Sequence, residues 1–143
     1  MPCRTDVGHA DGGCPVTVLT VDDQQIFRRA LTSLIDAAPE FEQIGEATSG
    51  AEALRLAARL RPALVLLDVR MPEMDGIETA RRLAAADPHL AIVLISIDEV
   101  PELVAAAAPP RVAFVRKQSL STRKLHETWA ALNSSSWLGP TTG

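Results

Sequence analysis

The residues best suited to acid–base, metal or phosphate chemistry recur at one kind of place, directly after a short apolar run. Asp22 and Asp23 follow Val16–Val21, Asp68 follows 63–67, Ser96 follows 90–95, and Lys117 comes after 112–115, behind Arg116. Were these runs neighbouring strands of one parallel sheet, their carboxyl ends would converge where open α/β sheets bind ligands. Taken singly, each residue has an ordinary use. An Asp caps a helix or makes a turn, a Lys is a solvated charge, and a Ser opens a loop. Three acids arriving from two strands are harder to account for that way. Like charges about 4 Å apart repel by on the order of 4 kcal/mol per pair at an effective dielectric near 20. Such a cluster therefore needs a protonated carboxyl or a bound cation. Its donors are all oxygens, which selects a hard ion, and Mg²⁺ typically takes one or two carboxylates with waters and phosphate oxygens. A carboxylate, Mg²⁺, an ammonium and a hydroxyl together make a site for phosphoryl transfer onto the carboxylate. The chain has no GxxxxGK[ST] loop, so the phosphoryl group must come from elsewhere than bound ATP.

The elements that must position these residues follow from periodicity. The four runs above are almost wholly apolar, whereas a fifth segment, Phe41–Ala47, carries Glu42, Gln43 and Glu46. Strands buried on both faces read as continuous apolar runs, and edge strands carry charge. Between the runs lie amphipathic stretches. Phe27, Leu31, Leu34 and Ile35 share one helical face, as do Ala51, Leu54 and Ala58 behind a Ser49 cap. Ile77, Ala80 and Ala84 form another such face, and Leu125, Trp129 and Leu132 a fourth behind Ser121. A poorer helix is expected over 98–108, with Pro101 in its first turn and Pro109-Pro110 ending it, short and mobile. The βα alternation predicts a single doubly wound, flavodoxin-like domain, a five-stranded parallel sheet of order 2-1-3-4-5 with helices on both faces. Its expected bounds are 15–133, between a flexible arm over 1–14 and a tail or linker over 134–143.

With 143 residues, 47% hydrophobic and 22% charged, the composition is globular and excludes disorder, collagen and coiled coil. A net charge of −4 offers no basic patch for nucleic acid or anionic lipid. No apolar run approaches the roughly 20 residues of a membrane span, and the start MPCRTDVGHADGG lacks the order of a secretory signal. A cytoplasmic location is expected. Cys3 and Cys14, with His9 between them, read as reduced thiols rather than a metal site. His9, His89 and His126 have no context that suits a phosphohistidine.

The residues VDDQ at 21–24, LLDVRMPEMDG at 66–76, LIS at 94–96 and FVRK at 114–117 resemble the receiver domain of bacterial response regulators. The likeness runs from about Pro15 to Asn133. It implies that Asp68 is the phospho-acceptor, supplied by a sensor histidine kinase. Asp23 would bind Mg²⁺ directly and Asp22 mostly through water, with Asp68 and the backbone carbonyl of Arg70 as further ligands. Ser96 and Lys117 would hold phosphate oxygens. Phe114 would pair with Ser96 as the switch, reshaping the surface of the 98–108 helix, the fifth strand and the last helix; an ordinary core aromatic fits Phe114 equally well. The resemblance also implies a switch that gains and loses phosphate rather than a turnover enzyme. A homodimer is a further expectation, with no face assigned.

Several positions depart from the family pattern. Ile97 stands where a small residue is usual, which should hinder hydrolytic water and slow the loss of phosphate. Arg70 and Asp98 should overhang the pocket and gate entry as a pair; two solvated charges are the plainer reading. Gln118 replaces the Pro that often follows the Lys, as in the subgroup with a helix-turn-helix DNA-binding output. The segment 109–113 lacks the usual glycines. Too few residues follow Asn133 for such an output, so no nucleic-acid contact is expected from this chain, and a receiver cut from a longer protein is favoured over a standalone regulator. Two other readings compete. A pseudo-receiver would signal by protein contact without phosphate. An aspartyl phosphatase resembling DxDx[TV] would need a second acid where Arg70 stands.

Overall fold

The computed structural model describes residues 15–70, 76–97 and 111–133. The arm over 1–14 with Cys3, His9 and Cys14, the segment 71–75, the helix expected over 98–108 with Asp98, and the tail over 134–143 lie outside the described residues.

Strands and helices alternate as β1 (Val16–Val21), α1 (Gln25–Asp36), β2 (Phe41–Ala47), α2 (Gly50–Leu60), β3 (Leu64–Asp68), α3 (Gly76–Ala86), β4 (Ala91–Ser96) and β5 (Val112–Arg116). A 3-10 turn (Lys117–Ser119) and α4 (Thr122–Asn133) follow. All neighbouring strands pair in parallel, in the order β2-β1-β3-β4-β5. The polar second strand lies at the edge with Glu42 and Glu46 exposed, while β3 is buried along its whole length. This is the arrangement that the contrast in strand polarity predicts. β3, β4 and β5 each run one residue beyond the expected apolar run, so that Asp68, Ser96 and Arg116 are strand residues. Register between strands, not apolarity, sets those ends.

The sheet separates two apolar clusters, as side-chain alternation requires. On one face Val18, Leu64, Leu66, Ile95 and Val115 pack with Leu31 and Ile35 of α1 and Leu125 and Leu132 of α4. On the other, Leu19, Val21, Val65, Leu67 and Leu94 pack with Ala53 of α2 and Ala80 and Leu83 of α3. The expected caps form. Ser49 Oγ accepts from the Glu52 amide at 3.1 Å, and Ser121 Oγ accepts from the Lys124 amide at 3.0 Å.

Candidate functional site

Alternation fixes which polar ends meet. Asp22 continues the parity of Val18 and Thr20, Asp68 that of Leu64 and Leu66, and Lys117 that of Ala113 and Val115, all on the α1/α4 face. Ser96 continues the parity of Ile92 and Leu94 on the α2/α3 face. β1 and β3 are direct neighbours, so their ends bring Asp22, Asp23 and Asp68 together, with ligand atoms within 4.8 Å of one another. Asp22 is fully buried and Asp68 is 5% exposed, while Asp23 faces solvent.

Local hydrogen bonds hold each acid. Asp22 Oδ1 accepts from the Gln24 amide at 2.8 Å, an Asx turn that starts the βα connection. Arg28 of α1 donates to the Asp22 carbonyl at 3.0 Å and pairs with Glu46 of β2 at 3.4 Å. Asp68 Oδ1 accepts from the Arg70 amide at 3.2 Å. Lys117 Nζ stands 4.0 Å from Asp68 Oδ2, an ion pair without a hydrogen bond. Gly76 closes the loop after β3, its amide donating to the Val69 carbonyl at 2.8 Å. A Cβ at that glycine would sit 2.3 Å from the Asp68 carbonyl oxygen and 2.7 Å from Val69 Cα, so only glycine allows α3 to begin against the end of β3.

Burial and mutual repulsion strain the acid pair. Burial raises the Asp68 carboxyl to about 6, the Asp22 charge adds to that, and the Arg70 amide and Lys117 pull it back. Burial also raises Asp22, against the Gln24 amide and Lys117. Burial and mutual repulsion thus favour the neutral form of each carboxyl. Asp22 Oδ2 is itself buried with no regular hydrogen-bond donor. A lone pair left over inside a cluster of three carboxylates is what a hard divalent cation satisfies, so these residues fit one.

The remaining expected residues fall into place unevenly. Ser96 is half-buried at the end of β4. Phe114 is half-buried in β5, opposite Leu94, and packs into the α2/α3 cluster, so Ser96 and Phe114 project from the same face. Ile97 is 53% exposed beside Ser96. Arg70 is exposed, and its expected partner Asp98 lies outside the described residues. Sequence reasoning did not anticipate Arg28, Gly76 or a contact of Lys117 with the ring of Phe27 in α1, 4.0 Å from ammonium to centroid. A signal existed for Gly76, a glycine immediately before an amphipathic helix. None existed for the other two, because they depend on which side-chain tips meet across strands.

A doubly wound parallel sheet carries an acid cluster, a hydroxyl and an ammonium at its carboxyl end, a donor set suited to a hard cation. The family model "response regulator receiver domain" matches residues 18–129. The chain belongs to that family. Among curated relatives, a protein-glutamate methylesterase/protein-glutamine glutaminase of Nocardioides is 42% identical over 81 residues, 57% of this chain and 22% of that protein. The transcriptional regulatory protein LiaR of Bacillus subtilis is 37% identical over 86 residues, 59% of this chain and 41% of that protein. Among solved structures, the signal receiver domain of NarL from Mycobacterium tuberculosis superposes with TM-score 0.73 at 29% identity, covering 84% of this chain and 98% of that one. The CheX–CheY–BeF3–Mg²⁺ complex from Borrelia burgdorferi gives TM-score 0.69 at 26% identity, covering 84% of this chain and 90% of that one.

These relatives correct the expectation of a switch that is no turnover enzyme. The first curated relatives are all named as enzymes, the methylesterase/glutaminases, and the match spans 22%, 24%, 19% and 23% of their lengths. The physical reason is modularity. The acids, Ser96 and Lys117 lie at one end of a receiver domain, and such a site carries no information on the chemistry of an output joined to it. Among the described residues no helix is long and apolar enough to cross a membrane.

Proposed function

We propose that this receiver accepts a phosphoryl group on Asp68 from the phosphohistidine of a sensor kinase, with Mg²⁺ bound by Asp22, Asp23, Asp68 and the Arg70 carbonyl. The observation that carries this reading is the buried Asp68 carboxylate facing Lys117 beside two further acids. With its carboxyl at about 6, Asp68 is largely ionised at neutral pH and able to attack. Its oxygen forms a P–O bond as the P–N bond of phosphohistidine breaks, and the imidazole leaves with the electron pair and takes up a proton. A bound Mg²⁺ supplies charge neutralisation at the phosphoryl oxygens. Lys117 neutralises a further oxygen, and Ser96 donates a hydrogen bond once drawn inward. The Asx turn at Gln24 and the Arg28 contact keep the β1 acids fixed, so little reorganisation accompanies transfer.

The shared face of Ser96 and Phe114 supports a switch in which movement of the hydroxyl opens room for the ring and alters the surface around β5 and α4. Such a two-state element moves from 1:99 to 99:1 with about 5.5 kcal/mol of differential interaction. Exposed Ile97 at the mouth slows the approach of hydrolytic water. The relatives are named for two kinds of output, enzymatic and transcriptional; in our reading this receiver reaches its output through partners or further domains in the cytoplasm, without touching DNA itself.

Intact mass after incubation with acetyl phosphate and Mg²⁺ tests the reading. One phosphoryl adduct is expected on the wild type and none on Asp68→Asn. An adduct on both would move the acceptor elsewhere, and none on either would favour signalling by contact without phosphate.

A further inference from the structure

The ammonium of Lys117 lies equally far, 4.0 Å, from the Phe27 ring centroid and from Asp68 Oδ2. The first distance is that of a cation–π contact. The second is an ion pair too long to be a hydrogen bond. Lys117 is 17% exposed along its side chain, so the contact is largely desolvated. Phe27 sits in the first turn of α1, its ring packed against the α1/α4 cluster on the face that also carries Asp22 and Asp68. A lysine stem has many rotamers to sample. Without the ring, the ammonium has two other resting places. It can extend into solvent, or it can drop onto Asp68 and cover the carboxylate that must attack.

We propose that Phe27 is a positioning residue for phosphoryl transfer, its ring face holding the Lys117 ammonium beside Asp68 but off it, where an incoming phosphoryl group finds the cation already placed. The inference rests on Asp68 being the acceptor. It adds a role to a residue that helical periodicity accounts for as packing alone. α1 then serves the site twice within one turn, through Phe27 on the cation and Arg28 on the Asp22 backbone carbonyl.

The test alters the ring's electrons and leaves its shape nearly unchanged. Phe27 is replaced by 4-fluoro-, 3,5-difluoro- and 3,4,5-trifluorophenylalanine in the full chain. The rate of adduct formation is then followed against acetyl phosphate concentration with Mg²⁺ present. The maximal rate should fall stepwise with fluorine count, to about a tenth for the trifluoro ring. Phe27→Tyr should stay within about twofold of wild type, because its ring face remains electron-rich. In a Lys117→Met background the fluorine series should be flat, since no cation is left to respond. Equal rates across the series in the wild-type background would overturn the proposal. So would a loss of the same size in the Lys117→Met background, which would make Phe27 a packing residue only. A wild type that takes no phosphoryl group would overturn the acceptor role of Asp68 and this inference with it, whereas a labelled wild type with a flat series removes the inference alone.

Discussion

The two ends of the sheet are built on opposite principles. At the amino end, polar groups are paired. The Val16 amide donates to the Glu40 carbonyl at 2.8 Å, the Ala63 amide to Thr17 Oγ1 at 3.0 Å, and the Ile92 amide to the Arg111 carbonyl at 3.0 Å. Arg111 in turn donates to the Leu132 carbonyl at 2.8 Å and Asn133 Oδ1 at 3.2 Å, tying the last turn of α4 to the start of β5. Glu40 meets His126 of α4 at 2.6 Å. At the carboxyl end, buried acids crowd one another, one carboxylate oxygen has no regular donor, and the nearest ammonium makes no hydrogen bond to Asp68. The amino end has its own orphan in the buried Arg111 Nε, but the rest of that guanidinium is engaged. The lesson is that one end is arranged for stability and the other holds unspent electrostatic strain that the proposed cation and phosphoryl group would relieve.

The sharpest way to break this contrast is to remove the strain. Raising a buried carboxyl from 3.8 to about 6 means that its ionisation costs the folded state on the order of 3 kcal/mol. Its folded value lies above its unfolded one, so the stability present below about pH 4 is lost as pH rises through 6. Asp68→Asn should therefore stabilise the cation-free protein at pH 7.5 by on the order of 1–3 kcal/mol, with no gain at pH 4. Thermal melts in chelator across that range measure it, and added Mg²⁺ should raise the wild-type midpoint more than that of the variant, which keeps Asp22 and Asp23. A difference that does not vary with pH would refute the strain.

Gly76→Ala comes next. The new methyl collides with backbone at Asp68 and Val69, and the expected cost is about 2–3 kcal/mol. Urea unfolding should show a lower midpoint at unchanged m-value. At the opposite end, Arg111→Met removes the two contacts to α4 and should cost about 1–2 kcal/mol. Hydrogen exchange should then rise at residues 129–133, with phosphorylation rates unchanged; slowed phosphorylation would mean that the two ends are coupled. The smallest change in stability belongs to Ile97→Ala, within about 0.5 kcal/mol because the side chain is exposed. That variant should nonetheless lose phosphate several-fold faster, read as decay of the mass adduct, and equal or slower decay would remove Ile97 from control of access.

Much of this was legible in the chain. Glu42 and Glu46 placed β2 at an edge, the apolar runs of β1, β3 and β4 fell in the interior while the equally apolar β5 forms the other, half-buried edge, and Ser49 and Ser121 announced two helix starts. Phe27 is the instructive exception. Its place on the helical face was readable from its spacing to Leu31, Leu34 and Ile35, whereas its contact with Lys117, far along the chain, was not. Periodicity reports the direction in which a side chain leaves its helix. It carries no information on what another strand brings to meet the tip. Arg28 follows the same rule, pairing with Glu46 only because β2 lies beside β1.

The sequence by itself determined the alternation of elements, the strand order and the family, because these depend on residue type and spacing alone. Tertiary structure decided the state of the site. Asp68 reaches about 6 only once burial removes its water and β1 sets Asp22 beside it. The unpaired oxygen of Asp22 and the ammonium held between a ring and a carboxylate have the same origin. Desolvation and charge–charge energies depend on distances across the sheet, and those exist only when the chain has folded.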